Sequence, residues 1–434
     1  MRRALLLALG LAAIAACALF AEPEDPRLAP WKTQASALRG LQFETPVRLA
    51  WVSQAQIPGV IRGELEELLT PEDARRYRDA YAALGVLPPE IDFVETMLAL
   101  QSQMLAGLYS PRRRTLYVLD SLRDDPNSAS PGQSLIVVHE LVHALQDQHA
   151  PQTLALLTGL RRQDDVVGAL SAVLEGDATL TMLGAGAAPG DADKRNERTA
   201  AVVHEAMLAQ LAHPDGEMAA VPRLLRESLL FPYAFGTPLS ARRFAAAGNI
   251  GLDAALRDPP LSTLRVLVPD DTDPVEFIRL PEAALAQRLA ERGCLLGDDN
   301  VAGAVTLGVL FEDYGGALDL DTVLRGWSGD RFLQIDCAGT WELVWLTRWE
   351  SDEAAARFAA AYRAIAPAVG ANAPLSGPPE AVLRGRTALV LTPGVRAHAE
   401  WLFDASEIRA YSRFSEWLAD GCFPETPCPD EARN

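Results

Sequence analysis

Apolar and polar residues alternate through "PVRLAWVS", Pro46 to Ser53, which predicts a first strand. The spacing then changes to that of helices. In "TPEDARRYRDAYAALG", Thr70 stands as a cap, Pro71 as the first helical residue, acidic residues fill the first turn and Gly85 closes the element. "DFVETMLALQSQMLAG" continues as a second helix. Two short apolar runs in "LAGLYSPRRRTLYVLDS", broken at Ser110 and Pro111, predict a hairpin or a pair of neighbouring strands. After Pro131 and Gly132, "PGQSLIVVHELVHALQDQH" reads as a long helix with Ser134 as its candidate cap. "DVVGALSAVLEGDATLTMLGAG" is another, in which Glu175 and Asp177 are nearly the only charges, and further helices are expected around His204 and Arg226.

From about Arg292 the texture changes to strand-like runs alternating with helices: "TWELVWLTRW" before "SDEAAARFAAAYRAI", then "GRTALVLT" before "AHAEWLF". The expected fold class is therefore α+β. A mostly helical unit over residues 22–290 carries a small edge sheet beside the His139–His143 helix, and a smaller α+β unit occupies residues 291–434.

The N-terminus adds a destination. "MRRALLLALGLAAIAACALFAEPEDP" has a basic start, an apolar run from Ala4 to Phe20 and an acidic stretch with prolines, the pattern of an export signal over residues 1–21. Ile14-Ala15-Ala16-Cys17 resembles the bacterial lipobox, which implies a lipid on Cys17 and a cell-envelope location; a simple secretory cut or a retained anchor is the alternative. Without Cys17, four of the five cysteines remain. Cys422 and Cys428 flank "FPETP" and would close a small loop, leaving Cys294 to pair with Cys337. A formal net charge of -19 argues against nucleic acid and anionic lipid surfaces as partners, because like charges repel.

The chemistry concentrates in "VVHELVHALQDQH". His139 and His143, four apart, project from one helix face about one turn apart and can share an ion. Glu140 lies on the adjacent flank, where a carboxylate serves a water rather than the metal, the arrangement of HExxH zinc peptidases. Two residues compete to be the third ligand. His149 stands where another zinc pattern has its last histidine, but that pattern needs a glycine three residues after the second histidine, and here the position is Gln146. On an unbroken helix His149 points about 80° from His139 and about 120° from His143, so its expected role is a polar group near the helix end. Glu175, in "GALSAVLEGDATL", is the better candidate, since a carboxylate among Val173, Leu174 and Leu180 needs a compensating cation.

HExxH followed by a glutamate on a later helix resembles the gluzincins, a group that includes the thermolysin-like peptidases. More narrowly, "LEGDAT", "FPYAFG", "PPLSTLRVLVPD" and "GWSGDR" look like pieces of an uncharacterised family of exported bacterial HExxH proteins, over about Leu105 to Phe358. A histidine expected near "LRVLVPD" is absent, its place taken by Val266 or Leu267. The resemblance implies Zn2+ held by His139, His143 and Glu175, Glu140 as general base, and an extended peptide substrate lying along the edge strand at "TLYVL". Tyr233, in a helix-to-loop junction, and His204 are the candidate donors to the developing oxyanion. Asp147 is the candidate to orient His143. "GWSGDR" reads as a tight structural corner rather than a phosphate loop. The competing reading is a non-catalytic envelope protein for binding or assembly on the same fold, against which the presence of Glu140 weighs.

Overall fold

The computed structural model describes residues 24–104, 107–123, 131–187, 193–315, 324 and 326–424. The segment expected to be an export signal, with Cys17, and Cys428 lie outside the described residues.

The first part runs α1 (Ala29–Arg39), β1 (Arg48–Val52), α2 (Ile57–Leu68), α3 (Pro71–Leu84), α4 (Phe93–Met104), β2 (Gly107–Ser110), β3 (Thr115–Leu119), α5 (Pro131–His149), α6 (Pro151–Gly159), α7 (Asp164–Ala185), α8 (Glu197–Ala212) and α9 (Arg223–Ala247). The punctuation of α3 is as expected: Thr70 accepts from the Asp73 amide, Pro71 leads, and Gly85 ends the helix at φ 101°. β2 and β3 pair antiparallel, and β1 joins β3 in parallel, so the order is β1-β3-β2: "TLYVL", expected as the sheet edge, is the central strand, paired on both sides, and β2 is an edge instead.

α5 starts at Pro131, so Ser134 lies inside it rather than capping it. Its Val137, Val138, Leu141, Ala144 and Leu145 are buried in one cluster with Trp31 of α1 and Leu116 and Val118 of β3. That burial fixes which face of α5 is left for His139 and His143.

α7 and α9 cross in direct backbone contact. A Cβ on Gly176 would stand 2.1 Å from the Gly236 carbonyl oxygen, and one on Gly236 would stand 2.0 Å from that of Ala172. α9 is continuous despite Pro232 and Pro238 inside it. Pro238 has no N–H to give the Ala234 carbonyl, and His204 of α8 supplies the missing donor, with Nδ1 2.8 Å from that oxygen.

The chain continues through α10 (Asn249–Arg257), α11 (Thr263–Leu267), β4 (Val275–Arg279), α12 (Glu282–Leu289), β5 (Cys294–Asn300), α13 (Gly303–Tyr314), β6 (Trp327–Cys337), β7 (Thr340–Trp349), α14 (Asp352–Asn372), β8 (Glu380–Arg384), β9 (Thr387–Leu391), α15 (Ala399–Ala405), β10 (Glu407–Tyr411) and α16 (Phe414–Ala419). An antiparallel sheet of order β5-β6-β7-β9-β8 organises this part. Together with the helical first part it makes the molecule α+β. One apolar core joins Tyr81 of α3 and Leu170 of α7 to Phe332, Trp345 and Phe358, so residues on both sides of position 290 pack together.

Cys294 and Cys337 form a disulfide across the first register pair of β5 and β6. Cys422 is disulfide-bonded too, with its partner outside the described residues. "GWSGDR" is not a tight turn: it enters β6 with a bulge between Trp327 and Gly329. Gly329 is needed there because the Glu276 backbone passes where its Cβ would be, at 1.8 Å. Buried Asp330 accepts from the Ala302 and Gly303 amides, both at 2.9 Å, and from the indoles of Trp327 and Trp345 at 3.2 and 2.9 Å. This is a structural knot, as expected of the segment, in an extended rather than a turned backbone.

Candidate metal centre

α5 has no breaker between His143 and His149 and stays helical to the end, which aims the two HExxH imidazoles at α7. The nearest pairs of ligand atoms are short: His139 Nε2 to Glu175 Oε2 3.0 Å, His143 Nε2 to Glu175 Oε2 3.4 Å, and His139 Nε2 to His143 Nε2 3.1 Å. His139, His143 and Glu175 form one group whose ligand atoms all lie within 4.8 Å.

Two imidazole nitrogens and a carboxylate converging this closely suit a cation. A tetrahedral divalent ion with bonds of about 2.0–2.1 Å sets its ligand atoms roughly 3.3 Å apart, close to the spacing here. The electrostatics point the same way. Burial alone would lower the pKa of His143, but the Glu175 carboxylate overrides it and lifts the imidazole to about 10. Burial would raise Glu175, but His143 and His139 drive its carboxyl far below the usual carboxylate range.

Glu140 lies beside this group without joining it. One carboxylate oxygen, Oε2, accepts from the backbone N–H of Tyr109 on the edge strand β2 at 2.7 Å. Gly107 leaves room for it, since a Cβ there would come within 3.2 Å of Glu140 Cγ.

Tyr233 lies in the middle of α9, not at a helix-to-loop junction, because the backbone holds through both prolines. Its ring stacks at 6.2 Å from that of His139. Burial first, then the nearby charges of Glu175 and Glu140, push its hydroxyl well above the ordinary tyrosine range, so it stays a donor. The Gly176–Gly236 contact explains the proximity, since it locks the turn bearing Glu175 against the helix bearing Tyr233.

His204 is spent on the Ala234 carbonyl and packs edge-on against Phe235 at 5.0 Å, a structural role. His149 meets the Gln42 carbonyl at 2.8 Å and stands outside the metal-ligating group.

Asp147 does not orient His143. Its carboxylate takes the Tyr109 hydroxyl at 2.6 Å, and the partner of His143 Nδ1 is Gln146 Oε1 at 2.8 Å. Gln146 was legible only by spacing, three residues after His143 on the same helix. Arg39, fully buried and 2.8 Å from Asp177, had no signal in the sequence at all.

Along the face of α7 that bears Glu175, one and two turns back, Ser171 and Gly168 line a cavity of about 710 Å³ with Tyr77, Tyr81 and Phe231. The metal-ligating group itself is not part of its lining.

Residues 288–389 match a family described as a domain of unknown function (DUF8575), which covers most of the five-stranded sheet and none of the candidate metal group. No curated protein and no solved structure matches the chain.

Proposed function

We propose that this chain hydrolyses peptide bonds with a zinc ion held by His139, His143 and Glu175, working outside the cytosol and anchored by a lipid on Cys17. The position of Glu140 carries this reading. It is a carboxylate on the helix of both imidazoles, outside the ligating group, and tied to the amide of an edge strand. A purely structural metal has no use for such a base.

When bound, zinc supplies a Lewis acid that polarises the substrate carbonyl and acidifies water. The protein does the rest. An extended peptide adds to the edge of β2. Glu140, with Oε2 held by Tyr109, accepts the proton of the attacking water at Oε1 and passes it to the leaving nitrogen. The Tyr233 hydroxyl, kept protonated by its surroundings, donates to the oxygen on which charge develops. The Cys294–Cys337 disulfide supports the extracytosolic part of the reading, because such bonds persist in oxidising compartments.

The test is zinc per chain in the purified form beginning after Cys17, beside Glu175→Ala, His149→Ala and Glu140→Gln, followed by a peptide library. The expected result is about one zinc, lost in Glu175→Ala and kept in the other two, with cleavage abolished in Glu140→Gln. Absence of zinc from every form, even when it is supplied, sinks the proposal. Release of Cys17→Ala from the membrane fraction checks the anchor.

A further inference from the structure

The imidazole of His143 has two ring nitrogens, and only a bare one can face a metal. What decides which one is bare lies behind the ligating group. His143 Nδ1 is 2.8 Å from Gln146 Oε1. The amide nitrogen of Gln146 stands 3.0 Å from the Leu174 carbonyl and 3.0 Å from Asp177 Oδ2. Both of those partners only accept. Asp177 pairs with Arg39, which meets it at 2.8 and 3.0 Å and also reaches Asp253 at 2.7 Å. Gln146, Asp177 and Arg39 are buried, with relative exposures of 0%, 1% and 0%.

Because two acceptors claim the amide nitrogen of Gln146, its oxygen has to face His143. An oxygen there accepts and never donates, so the proton of a neutral His143 sits on Nδ1 and leaves Nε2 bare. We infer that Gln146 is a positioning residue that selects the His143 tautomer, and that Arg39 and Asp177 hold Gln146 in the orientation that does so.

The inference rests on the metal reading above and adds a residue that touches neither metal nor substrate. It replaces Asp147, the next residue along, whose carboxylate serves Tyr109 instead.

The experiment is competition of the whole mature chain with a chromophoric chelator for zinc, together with NMR of the protein loaded with cadmium-113. Gln146→Leu is expected to weaken zinc 10- to 100-fold, the usual effect of removing an imidazole's outer partner, while Asp147→Asn leaves it within about twofold. The paired exchange of Gln146→Glu with Asp177→Asn restores an acceptor to His143 and an amide donor to hold it, so it recovers most of the affinity. In the wild type, cadmium couples to Nε2 of His143 and the ring proton is found on Nδ1.

Wild-type affinity in a folded Gln146→Leu overturns the inference, and so does cadmium coupling to Nδ1. If Gln146→Leu fails to fold, as metal-free thermal unfolding would reveal, the wild-type coupling decides. Absence of zinc from the wild type is a different failure, that of the metal reading itself.

Discussion

Gly176 and Gly236 touch through their backbones, and no side chain separates α7 from α9 at that point. Glu175 is the residue before the first of these glycines and Tyr233 lies three before the second. The candidate metal ligand and the candidate oxyanion donor therefore share one fixed crossing. Gly176→Ala is expected to force the helices apart, destabilising the fold by about 1–3 kcal/mol and weakening metal binding with it. Gly308→Ala, with nothing within 4 Å of its Cβ, is the control and leaves both unchanged or slightly improves stability. Urea unfolding and zinc competition on the two variants check this.

Tyr233→Phe removes one hydroxyl and little volume. If Tyr233 stabilises developing charge, kcat on a cleaved peptide falls about 10²- to 10³-fold while zinc content and KM hold. A fall in zinc content instead would assign the ring a packing role against His139.

His204 and Pro238 are coupled through a carbonyl that both concern. His204→Ala leaves the Ala234 oxygen without its donor and costs about 1–3 kcal/mol. In a Pro238→Ala background the helix recovers an N–H at that position, so the same substitution costs less. A double-mutant cycle by denaturant unfolding measures the difference, and strict additivity would refute the coupling.

The two prolines also mark a limit of the sequence. Pro232 and Pro238 argue locally for a break around Tyr233, yet α9 is continuous, and at Pro238 a histidine from another helix meets the carbonyl left without its donor. Long-range causes hid the other corrected features too. Gly329 is dictated by the Glu276 backbone, some fifty residues away along the chain, so two glycines in six residues imitated a turn. The choice between Gln146 and Asp147 as the partner of His143 depends on what α7 and β2 place opposite each, which helical spacing cannot specify. What was legible depended on local rules. The cap, proline and glycine of α3 bound that helix, HExxH put two imidazoles on one face, and the unbroken run through Gln146 disfavoured His149.

Asp165 gives the fold a pH signature. Burial first, then the Asp330 charge, raise its carboxyl to about 7 against the lowering effect of its bonds from Thr263. A raised folded pKa means stability that is complete below about pH 4, where the unfolded chain also holds the proton, and that is lost as pH climbs through about 7. The wild type is therefore expected to lose ground to Asp165→Asn between about pH 4 and pH 7, by on the order of a few kcal/mol, and to run parallel to it above. Urea titrations of both proteins across that range test the sign as well as the size.

Arg39 enters the core from the end of α1, and this changes what that helix is for. A recombinant form trimmed past α1 would be missing the cation that offsets Asp177, leaving a buried negative charge two residues from Glu175. Material cut that far would be expected to misfold or to lose its metal, and its inactivity would say nothing about the chemistry of the intact protein. A useful recombinant form therefore has to keep α1 whole, because a side chain from that helix completes the buried pairing beside Glu175.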